Sequence, residues 1–280
     1  PSVAEQNGAP VVSWTRFPQS TGDILAASWN GTSWNALGAQ VNSGVSLRSR
    51  SRVSDAGQHY VVFDDDDRVR VRRYQAGWVD VGAPIGPLGT VEGHLAIDGA
   101  GRPTVGAVQR TDPGSPDIVT TYRFDGAAWQ SLGIVDPDPA RWTDNPQIHR
   151  AGTQTYLVVT ETDDDVTFEP FYFRLNGNVW TPLPAAPFAA PGARWLWDSA
   201  GSADGSLHVL VSATGLRTAS YNPVSNAWRV AERATVTEAF YWEPRLAIGA
   251  DGKPVIAYAG SATTNEDGDG TLHVLRENSL

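Results

Sequence analysis

A tryptophan returns five times along this chain at a nearly constant interval. The five are Trp34, Trp78, Trp129, Trp180 and Trp228, separated by 44, 51, 51 and 48 residues. Three of them stand in similar short phrases that end on glycine, at Ser33–Gly38, Gly77–Gly82 and Ala128–Gly133. A period of about 40 to 50 residues indicates that one supersecondary unit is repeated along the whole chain.

The rest of the unit reads as short strands. Pro244–Tyr258 and Gly93–Val105 each contain an alternating strand, a turn with Gly, and a second, β-branched strand that opens near a proline. A third strand such as Val119–Phe124 follows, and the Asp125-Gly126 turn leads into the tryptophan strand. Four strands with this period predict an all-β fold, a six-bladed β-propeller with four-stranded antiparallel blades.

The repeat also predicts the division of the chain. We expect one β-propeller domain over residues 1–280, with blades at approximately 1–42, 43–86, 87–138, 139–189, 190–236 and 237–280. The chain starts at a first strand and ends at a third strand, Leu272–Asn278. Either residues upstream of Pro1 in a longer natural chain supply the missing outer strand, or the sixth blade has three strands.

Composition narrows the class of partner and the compartment. The net charge of −10 argues against nucleic acid as the main partner, and no apolar run reaches 18 residues, so we expect no membrane span. Cysteine is absent, which excludes disulfides, thiolate metal sites and cysteine nucleophiles. Because methionine is absent as well, and the strands are rich in Trp, Asn, Gly and Thr, we expect an exported protein, extracellular or periplasmic.

These repeats resemble a known group. The phrase Pro-x-Leu-Ala followed by Asn/Asp-Gly-x-x-Trp-x-x-Leu-Gly is similar to the tandem propeller repeats of secreted bacterial proteins, which are distantly similar to kelch and sialidase-type propellers. The sialidase Asp-box and the kelch double glycine are both absent. The resemblance therefore implies the fold, and no sialidase catalytic residue can be carried onto this chain.

Aromatic and charged residues recur in the segments that enter blades four to six. We predict that these connections between the last strand of one blade and the first strand of the next gather at one rim and bind a ligand. The candidate residues are Arg141, Trp142, Asp144, Arg194, Trp195, Trp197, Asp198, Tyr241, Trp242 and Glu243. Aromatic platforms with arginine and carboxylate partners suit a sugar ring or an anionic glycan. The alternative is that these rings pack beneath the next blade, as we expect for the five repeated tryptophans, which should be mostly buried.

Three further patterns bear on chemistry. Asn265, Asp267 and Asp269 match the first half of a calcium loop, which makes Ca²⁺ a candidate ligand, although Arg276 stands where an EF-hand needs glutamate. Alternate arginines in blade two, Arg48 to Arg52 and Arg68 to Arg72, either bind an anion or balance the acidic run Asp64–Asp67. His94 with Glu92 is the one acid/base pair that the sequence suggests.

Three functions remain open from the sequence, in this order. The first is a binding module that recognises a glycan or a protein partner through the aromatic and arginine rim. The second is a structural subunit of a larger extracellular assembly. The third is a glycoside hydrolase or polysaccharide lyase that uses Asp144, Asp198 and Glu243. Enzymatic activity is therefore not the preferred interpretation.

Overall fold

The structure is a computed structural model that describes most of the chain. Described are residues 2–6, 8–16, 22–46, 48–110, 115–162, 168–186, 195–213, 215–231, 240–261 and 271–276. Every regular element in these ranges is a β-strand. Within the same ranges no helix offers the length and apolar character needed to cross a membrane.

The strands form six antiparallel sheets, each made of strands consecutive in the chain. The first sheet contains β1 (Ser2–Gln6), β2 (Ala9–Arg16), β3 (Asp23–Trp29) and β4 (Trp34–Ala36). The second contains β5 (Ser49–Val53), β6 (His59–Asp64), β7 (Val69–Tyr74) and β8 (Trp78–Asp80). The third contains β9 (Thr90–Ile97), β10 (Pro103–Gln109), β11 (Ile118–Phe124) and β12 (Trp129–Val135).

The second half of the chain repeats the same order. The fourth sheet contains β13 (Trp142–Ala151), β14 (Gln154–Thr162), β15 (Glu169–Asn176) and β16 (Val179–Pro182). The fifth contains β17 (Trp195–Gly201), β18 (Leu207–Ala213), β19 (Gly215–Asn222) and β20 (Ala227–Ala231). The sixth contains β21 (Phe240–Ile248), β22 (Pro254–Ser261) and β23 (Thr271–Arg276), three strands in the part of the chain that is described. The predicted fold class, an all-β six-bladed β-propeller with four-stranded antiparallel blades and an incomplete last blade, is confirmed, with three strands of the sixth blade among the described residues.

The chain divides into two compact units, and each has its own apolar core. One unit comprises Pro1–Ile148 with Asn176–Trp180, and the other comprises His149–Leu175 with Thr181–Leu280. In the first unit, β-branched and aromatic residues of neighbouring sheets interlock, such as Val61 and Phe63 with Val11, Ile24 and Val41. The cores of the second unit are of the same kind, with Tyr156, Val209 and Tyr221 in one cluster and Leu210 and Leu246 in another. Burial of such side chains is the main term that stabilises the sheets against each other.

The repeated tryptophans hold neighbouring sheets together in a way that the sequence did not predict. The indole N–H of Trp78 donates to the carbonyl of Leu37 at 2.7 Å, and that of Trp129 donates to the carbonyl of Val81 at 2.8 Å. Each ring thus reaches from the fourth strand of its own sheet to the sheet before it. Trp180 and Trp228 make the same kind of bond, to Thr121 Oγ1 and the Pro184 carbonyl.

The depth of these rings differs from the expectation. Trp34 is exposed at 48%, and the other four are half-buried, so none of the five belongs to the fully buried core. The reason is that the fourth strand of each sheet is its outer edge, where a ring packs on one side and meets solvent on the other. Burial as deep as core packing was therefore the wrong expectation, although Trp78, Trp129 and Trp228 do pack against the apolar clusters.

The antiparallel order fixes which segments share an end of a blade. In the third sheet the first strand begins at Thr90, the second ends at Gln109 and the third begins at Ile118, so these three points lie together. We call this side of a blade its entry end. Because propeller blades repeat radially with the same strand direction, the start of β13 at Trp142 lies at the same end as the start of β9.

Candidate functional site

Eight of the ten predicted rim residues lie in strands rather than in connecting loops, and Arg141 directly precedes β13. Trp142 begins β13, Trp195 begins β17, and Tyr241 and Trp242 belong to β21. The register of β17 with β18 shifts between Leu196 and Asp198. A similar shift occurs in β21 between Trp242 and Arg245. These irregularities let strand pairing continue past an extra residue, so each first strand extends over the aromatic segment that we expected to be a loop.

Trp142 is the rim residue whose described side chain is most exposed. It is 40% exposed at the entry end, next to the half-buried Arg141. Asp144, two residues further along β13, accepts a hydrogen bond from the backbone N–H of Asn145 at 2.5 Å. Asn145 itself is in the left-handed region, with φ of 51°. This segment therefore presents an aromatic ring, a guanidinium group and a carboxylate within four consecutive residues.

Two other rim residues serve the packing of the fifth and sixth blades. The half-buried ring of Trp197 packs against a cluster that includes Leu210, Leu216 and Leu246. The carboxylate of Asp198 accepts hydrogen bonds from the backbone N–H groups of Leu246 and Ser199, at 2.9 and 3.0 Å. Both side chains thus join β17 to its neighbours, which is the packing role that the sequence left as an alternative.

The remaining predicted site residues fall into two groups. Arg194 and the calcium-loop residues Asn265, Asp267 and Asp269 lie outside the described residues. Of Trp195, Tyr241, Trp242 and Glu243 the strand positions are described but the side chains are not. Among the described residues, no group of three or more His, Asp and Glu side chains is arranged to hold a metal ion.

A second set of charged residues lies at the entry end of blades two and three. Asp64 is the last residue of β6 and Glu92 is the third residue of β9. Arg48 directly precedes β5, and Arg110 directly follows β10. We call these four residues the Asp64 cluster. From the sequence we paired Glu92 with His94 and set Arg48 against the whole acidic run Asp64–Asp67, so the contact between Asp64 and Glu92 was not predicted.

A backbone contact links Asp64 to Glu92 in the neighbouring blade. The N–H of Glu92 donates to Asp64 Oδ1 at 2.9 Å. This bond requires β9 to approach blade two closely, and Gly93 permits it, since a Cβ there would stand 2.7 Å from Val69 and 2.8 Å from Val62. Glu92 has a φ of 57°, a left-handed conformation that is costly for a residue with a side chain. The strain occurs where the register of β9 with β10 shifts.

The arginines of the cluster pair with Glu92. Arg48 Nη1 forms an ion pair with Glu92 Oε2, and Arg110 Nη2 lies 3.9 Å from Glu92 Oε1. The two guanidinium side chains are 56% and 59% exposed, whereas that of Glu92 is 24% exposed. Each guanidinium group therefore keeps N–H donors towards solvent, where a ligand could reach them.

The two carboxylates of the cluster differ in environment. Burial raises the pKa of Asp64 to about 6, and the nearby negative charge of Glu92 adds to this increase. The backbone N–H groups of Glu92 and Gly93 and the charge of Arg48 act in the opposite direction, but burial is the larger effect. Asp64 is thus a carboxyl group that holds its proton up to mildly acidic pH, beside a carboxylate paired with arginine.

His94 and Glu92, which the sequence suggested as an acid/base pair, contact different groups. His94 Nδ1 accepts the N–H of Ile148 at 3.0 Å, and His94 Nε2 lies 3.4 Å from Arg52 Nη2. Glu92 instead contacts the arginines and, through its N–H, Asp64. One signal in the sequence could have pointed to Asp64: it is the first carboxylate after the apolar strand His59–Phe63, a position at which a side chain is still held by the sheet.

Two further arginines of blade two, Arg70 and Arg72, are paired with carboxylates. Arg70 lies 3.1 Å from Asp65, and Arg72 lies 2.7 Å from Asp80. Asp65 is 2% exposed and also accepts the N–H of Gly44 at 2.6 Å. Part of the acidic run Asp64–Asp67 therefore braces the blade, in agreement with the charge-balancing alternative.

The fold and this geometry define a class of protein, a six-bladed β-propeller with a charged and aromatic entry end. Comparison with solved structures finds the same fold at low sequence identity. An ulvan lyase of a new polysaccharide lyase family, bound to -[GlcA(1-4)Rha3S]-, is similar with a TM-score of 0.63, 11% identity, and coverage of 97% of this chain and 77% of that one. No protein-family model matches the chain, and no curated protein matches it.

Two further structures of similar fold come from fungi. The α-L-arabinanase of Penicillium chrysogenum, complexed with arabinobiose, has a TM-score of 0.62, 14% identity, and coverage of 98% of this chain and 92% of that one. The α-L-arabinofuranosidase of Fusarium graminearum, also with arabinobiose, has the same values. At these identities the likeness shows the fold alone, because a propeller carries many unrelated functions.

Proposed function

We propose that this protein is an exported β-propeller that binds carbohydrate at the entry end of its blades. The observation that carries the proposal is the exposure of Trp142, 40% exposed at the start of β13 and adjacent to Arg141. A tryptophan side chain that is accessible to solvent beside an arginine is of the residue types that are enriched at the centres of binding surfaces.

The chemistry of this surface suits a sugar. An indole ring offers a flat apolar face on which the C–H groups of a pyranose or furanose can stack. Arg141 and Asp144 offer a donor and an acceptor for hydroxyl groups on the same strand. The three similar structures support this choice of ligand class, since each was solved with a saccharide or acts on one.

Trp142 is a better candidate than the other accessible tryptophans. Trp34 is 48% exposed, but it lies on the outer strand β4 of the first sheet, with Trp29 at a ring-centroid distance of 5.5 Å. Trp197 packs into the core of the fifth and sixth blades. We therefore place the sugar at Trp142, and a protein partner becomes the alternative outcome of the experiment.

Calorimetric titration with arabino-oligosaccharides and with ulvan fragments tests the proposal. We expect wild-type protein to bind at least one of them, and Trp142→Ala to weaken that binding by tenfold or more, since truncation of a tryptophan at the centre of a binding surface costs about 2 kcal/mol or more. Trp34→Ala is the matched control, which removes an equally exposed indole from the outer edge and should leave the affinity unchanged.

Two results would overturn the proposal. One is the absence of binding to every member of a broad glycan array by the folded wild-type protein. The other is equal affinity of Trp142→Ala and wild type, with melting temperatures that agree. A fall in melting temperature for Trp142→Ala would show instead that this ring is part of the blade packing.

A further inference from the structure

We propose that Asp64 and Glu92 are the catalytic acid and base of a glycosidic-bond hydrolysis, and that the substrate is an acidic glycan. The proposal rests on the proposed function in one respect, that the ligand at the entry end is a carbohydrate. It goes beyond it by assigning a reaction, a pair of catalytic residues and the charge of the substrate.

Asp64 and Glu92 are held at neighbouring points by a contact between the carboxyl group of Asp64 and the backbone of Glu92. They come from different blades, and the N–H of Glu92 donates to Asp64 Oδ1 at 2.9 Å. The backbone of Glu92 is left-handed, with φ of 57°, within a strand. Strained backbone of this kind persists where the surroundings enforce it, and it is frequent at active sites. A left-handed glutamate is energetically unfavourable in a strand whose only role is to pair with its neighbour. The glycine that follows it permits the close approach of the two blades.

The two carboxyl groups also lie in different environments. Burial raises the pKa of Asp64 to about 6, so that this group keeps its proton in mildly acidic solution. Glu92 instead forms ion pairs with Arg48 and Arg110, and we assign it the role of the base. Two neighbouring carboxyl groups in unlike environments are what general acid and general base catalysis of glycoside hydrolysis requires.

The reaction balances with water as the co-reactant. The protonated carboxyl group of Asp64 donates its proton to the glycosidic oxygen, and the bond from the anomeric carbon to that oxygen breaks. A water molecule forms the new bond to the anomeric carbon while the carboxylate of Glu92 takes a proton from that water. The proton then returns from Glu92 through solvent to Asp64, and the net change is one glycan plus water giving two shorter glycans.

The two arginines of the Asp64 cluster bear on the charge of the substrate. Arg48 and Arg110 are 56% and 59% exposed and flank Glu92, so their remaining N–H groups can bind a carboxylate or sulfate group of a sugar. With Asp64 protonated, the two guanidinium groups and the one carboxylate of the Asp64 cluster leave a charge of +1 within these four residues. This local charge has the opposite sign to the net charge of −10 of the whole protein. The Asp64 cluster therefore favours an acidic glycan as the substrate, although the protein as a whole is negatively charged.

The experiment uses the full chain with ulvan as the acidic probe and arabinan as the neutral one, and it measures new reducing ends and binding separately. We expect reducing ends from ulvan only. Asp64→Asn and Glu92→Gln should each lower the rate at least 100-fold, because general acid or base catalysis contributes about 10²–10⁴. Binding of ulvan to both variants should stay within a few fold of wild type, and the wild-type rate should fall as the pH rises above about 6.

The matched control is Asp98→Asn. Asp98 also accepts backbone N–H groups, from Ala100 at 2.9 Å and Arg102 at 2.8 Å, but it lies at the other end of β9. This variant should retain the full rate. If Asp64→Asn does not fold, Glu92→Gln and the pH profile still decide the question, since a merely structural pair would not move the pH profile.

Each contrary result has a distinct meaning. Binding of ulvan by the wild type without new reducing ends overturns the catalytic proposal and leaves the carbohydrate-binding proposal standing. Ultraviolet-absorbing unsaturated uronate at the new ends also overturns it, since elimination would have replaced hydrolysis. Full activity of Asp64→Asn overturns the assignment of the acid, and failure to bind any glycan overturns the proposed function itself.

Discussion

At the scale of single residues, burial decides how ionisable groups behave in this protein. His59 shows it most clearly: it is 2% exposed, its ring lies 5.4 Å from that of Trp78, and its Nε2 is 3.2 Å from Ser51 Oγ. Burial lowers the pKa of His59 from its ordinary 6.5 to about 4. The folded protein therefore holds this imidazole neutral, whereas the unfolded chain takes up a proton below pH 6.5.

This difference predicts a loss of stability in acid. Above pH 6.5 the imidazole of His59 is neutral in both states and costs nothing. As the pH falls from 6.5 to about 4, the unfolded state binds a proton that the folded state refuses, so the free energy of unfolding should decrease by up to about 3 kcal/mol. Denaturant unfolding of wild type and His59→Gln across this range measures the effect as a difference in slope.

Asp64 titrates in the same range with the opposite sign, since its pKa is raised in the folded state and its contribution to stability is lost as the pH rises towards about 6. That contribution is common to wild type and His59→Gln and cancels in the comparison. Trp34→Phe, which removes no ionisable group, is the matched control and should keep the wild-type slope. Equal slopes for His59→Gln and wild type would contradict the prediction.

At the scale of the elements, the indole hydrogen bonds explain why a tryptophan recurs once per blade. A phenylalanine could fill much of the same space, but only an indole N–H can donate to a carbonyl of the preceding sheet, as Trp129 does to Val81. The period in the sequence is thus the period of an inter-blade contact. It predicts where each ring lies along the chain but says nothing about how deep it lies.

We expect Trp129→Phe to lower the free energy of unfolding by about 1–3 kcal/mol, through the lost hydrogen bond and the smaller buried ring. Trp34→Phe should change it by less than about 0.5 kcal/mol, because Trp34 is exposed at the outer edge of the first sheet. Midpoints of guanidinium unfolding, with slopes compared for the two variants, measure the difference. If the two substitutions lower the free energy of unfolding by the same amount, the hydrogen bond of the Trp129 indole N–H does not hold the blades together.

The sequence predicted the elements better than the site, and the reasons are physical. Strand order and turns follow from local periods and from signals such as Asp125-Gly126, whose carboxylate accepts the N–H groups of Ala127 and Ala128. The Asp64 cluster instead depends on contacts between residues about 28 positions apart in neighbouring blades. The position directly after an apolar strand favours Asp64, but no local pattern shows that Asp65 is buried whereas Asp66 and Asp67 are exposed with left-handed backbone.

The same limit applied to the aromatic rim. The pattern of aromatic and charged types marked the starts of β13, β17 and β21, but it could not tell an exposed ring from a packed one. Trp142 and Trp197 have similar neighbours in sequence, yet the first is exposed and the second packs against Leu210 and Leu246. Only the position of the next sheet decides between these outcomes.

At the scale of the whole molecule, charge is the dominant long-range feature. The chain carries a net charge of −10 at pH 7, and its isoelectric point is about 4.9. Ion pairs such as Arg16–Asp23 at 2.7 Å and Arg102–Asp98 at 2.9 Å are exposed, and pairs of this kind contribute little to stability. Self-repulsion of the excess negative charge is therefore the larger electrostatic effect near neutral pH.

This balance predicts that the response to salt changes sign with pH. Raising the ionic strength from 0.01 to 0.15 M shortens the screening length from about 30 Å to about 8 Å, which relieves the repulsion at pH 7. The melting temperature should then rise, by about 2–4 °C for each kcal/mol gained. Near pH 4.9 the net charge is close to zero, and salt can only weaken the ion pairs, so the melting temperature should stay constant or fall slightly. Calorimetric scans at both pH values measure the two responses, and sucrose serves as an uncharged control additive. If salt raised the melting temperature equally at both pH values, it would act through solvent exclusion and not through charge.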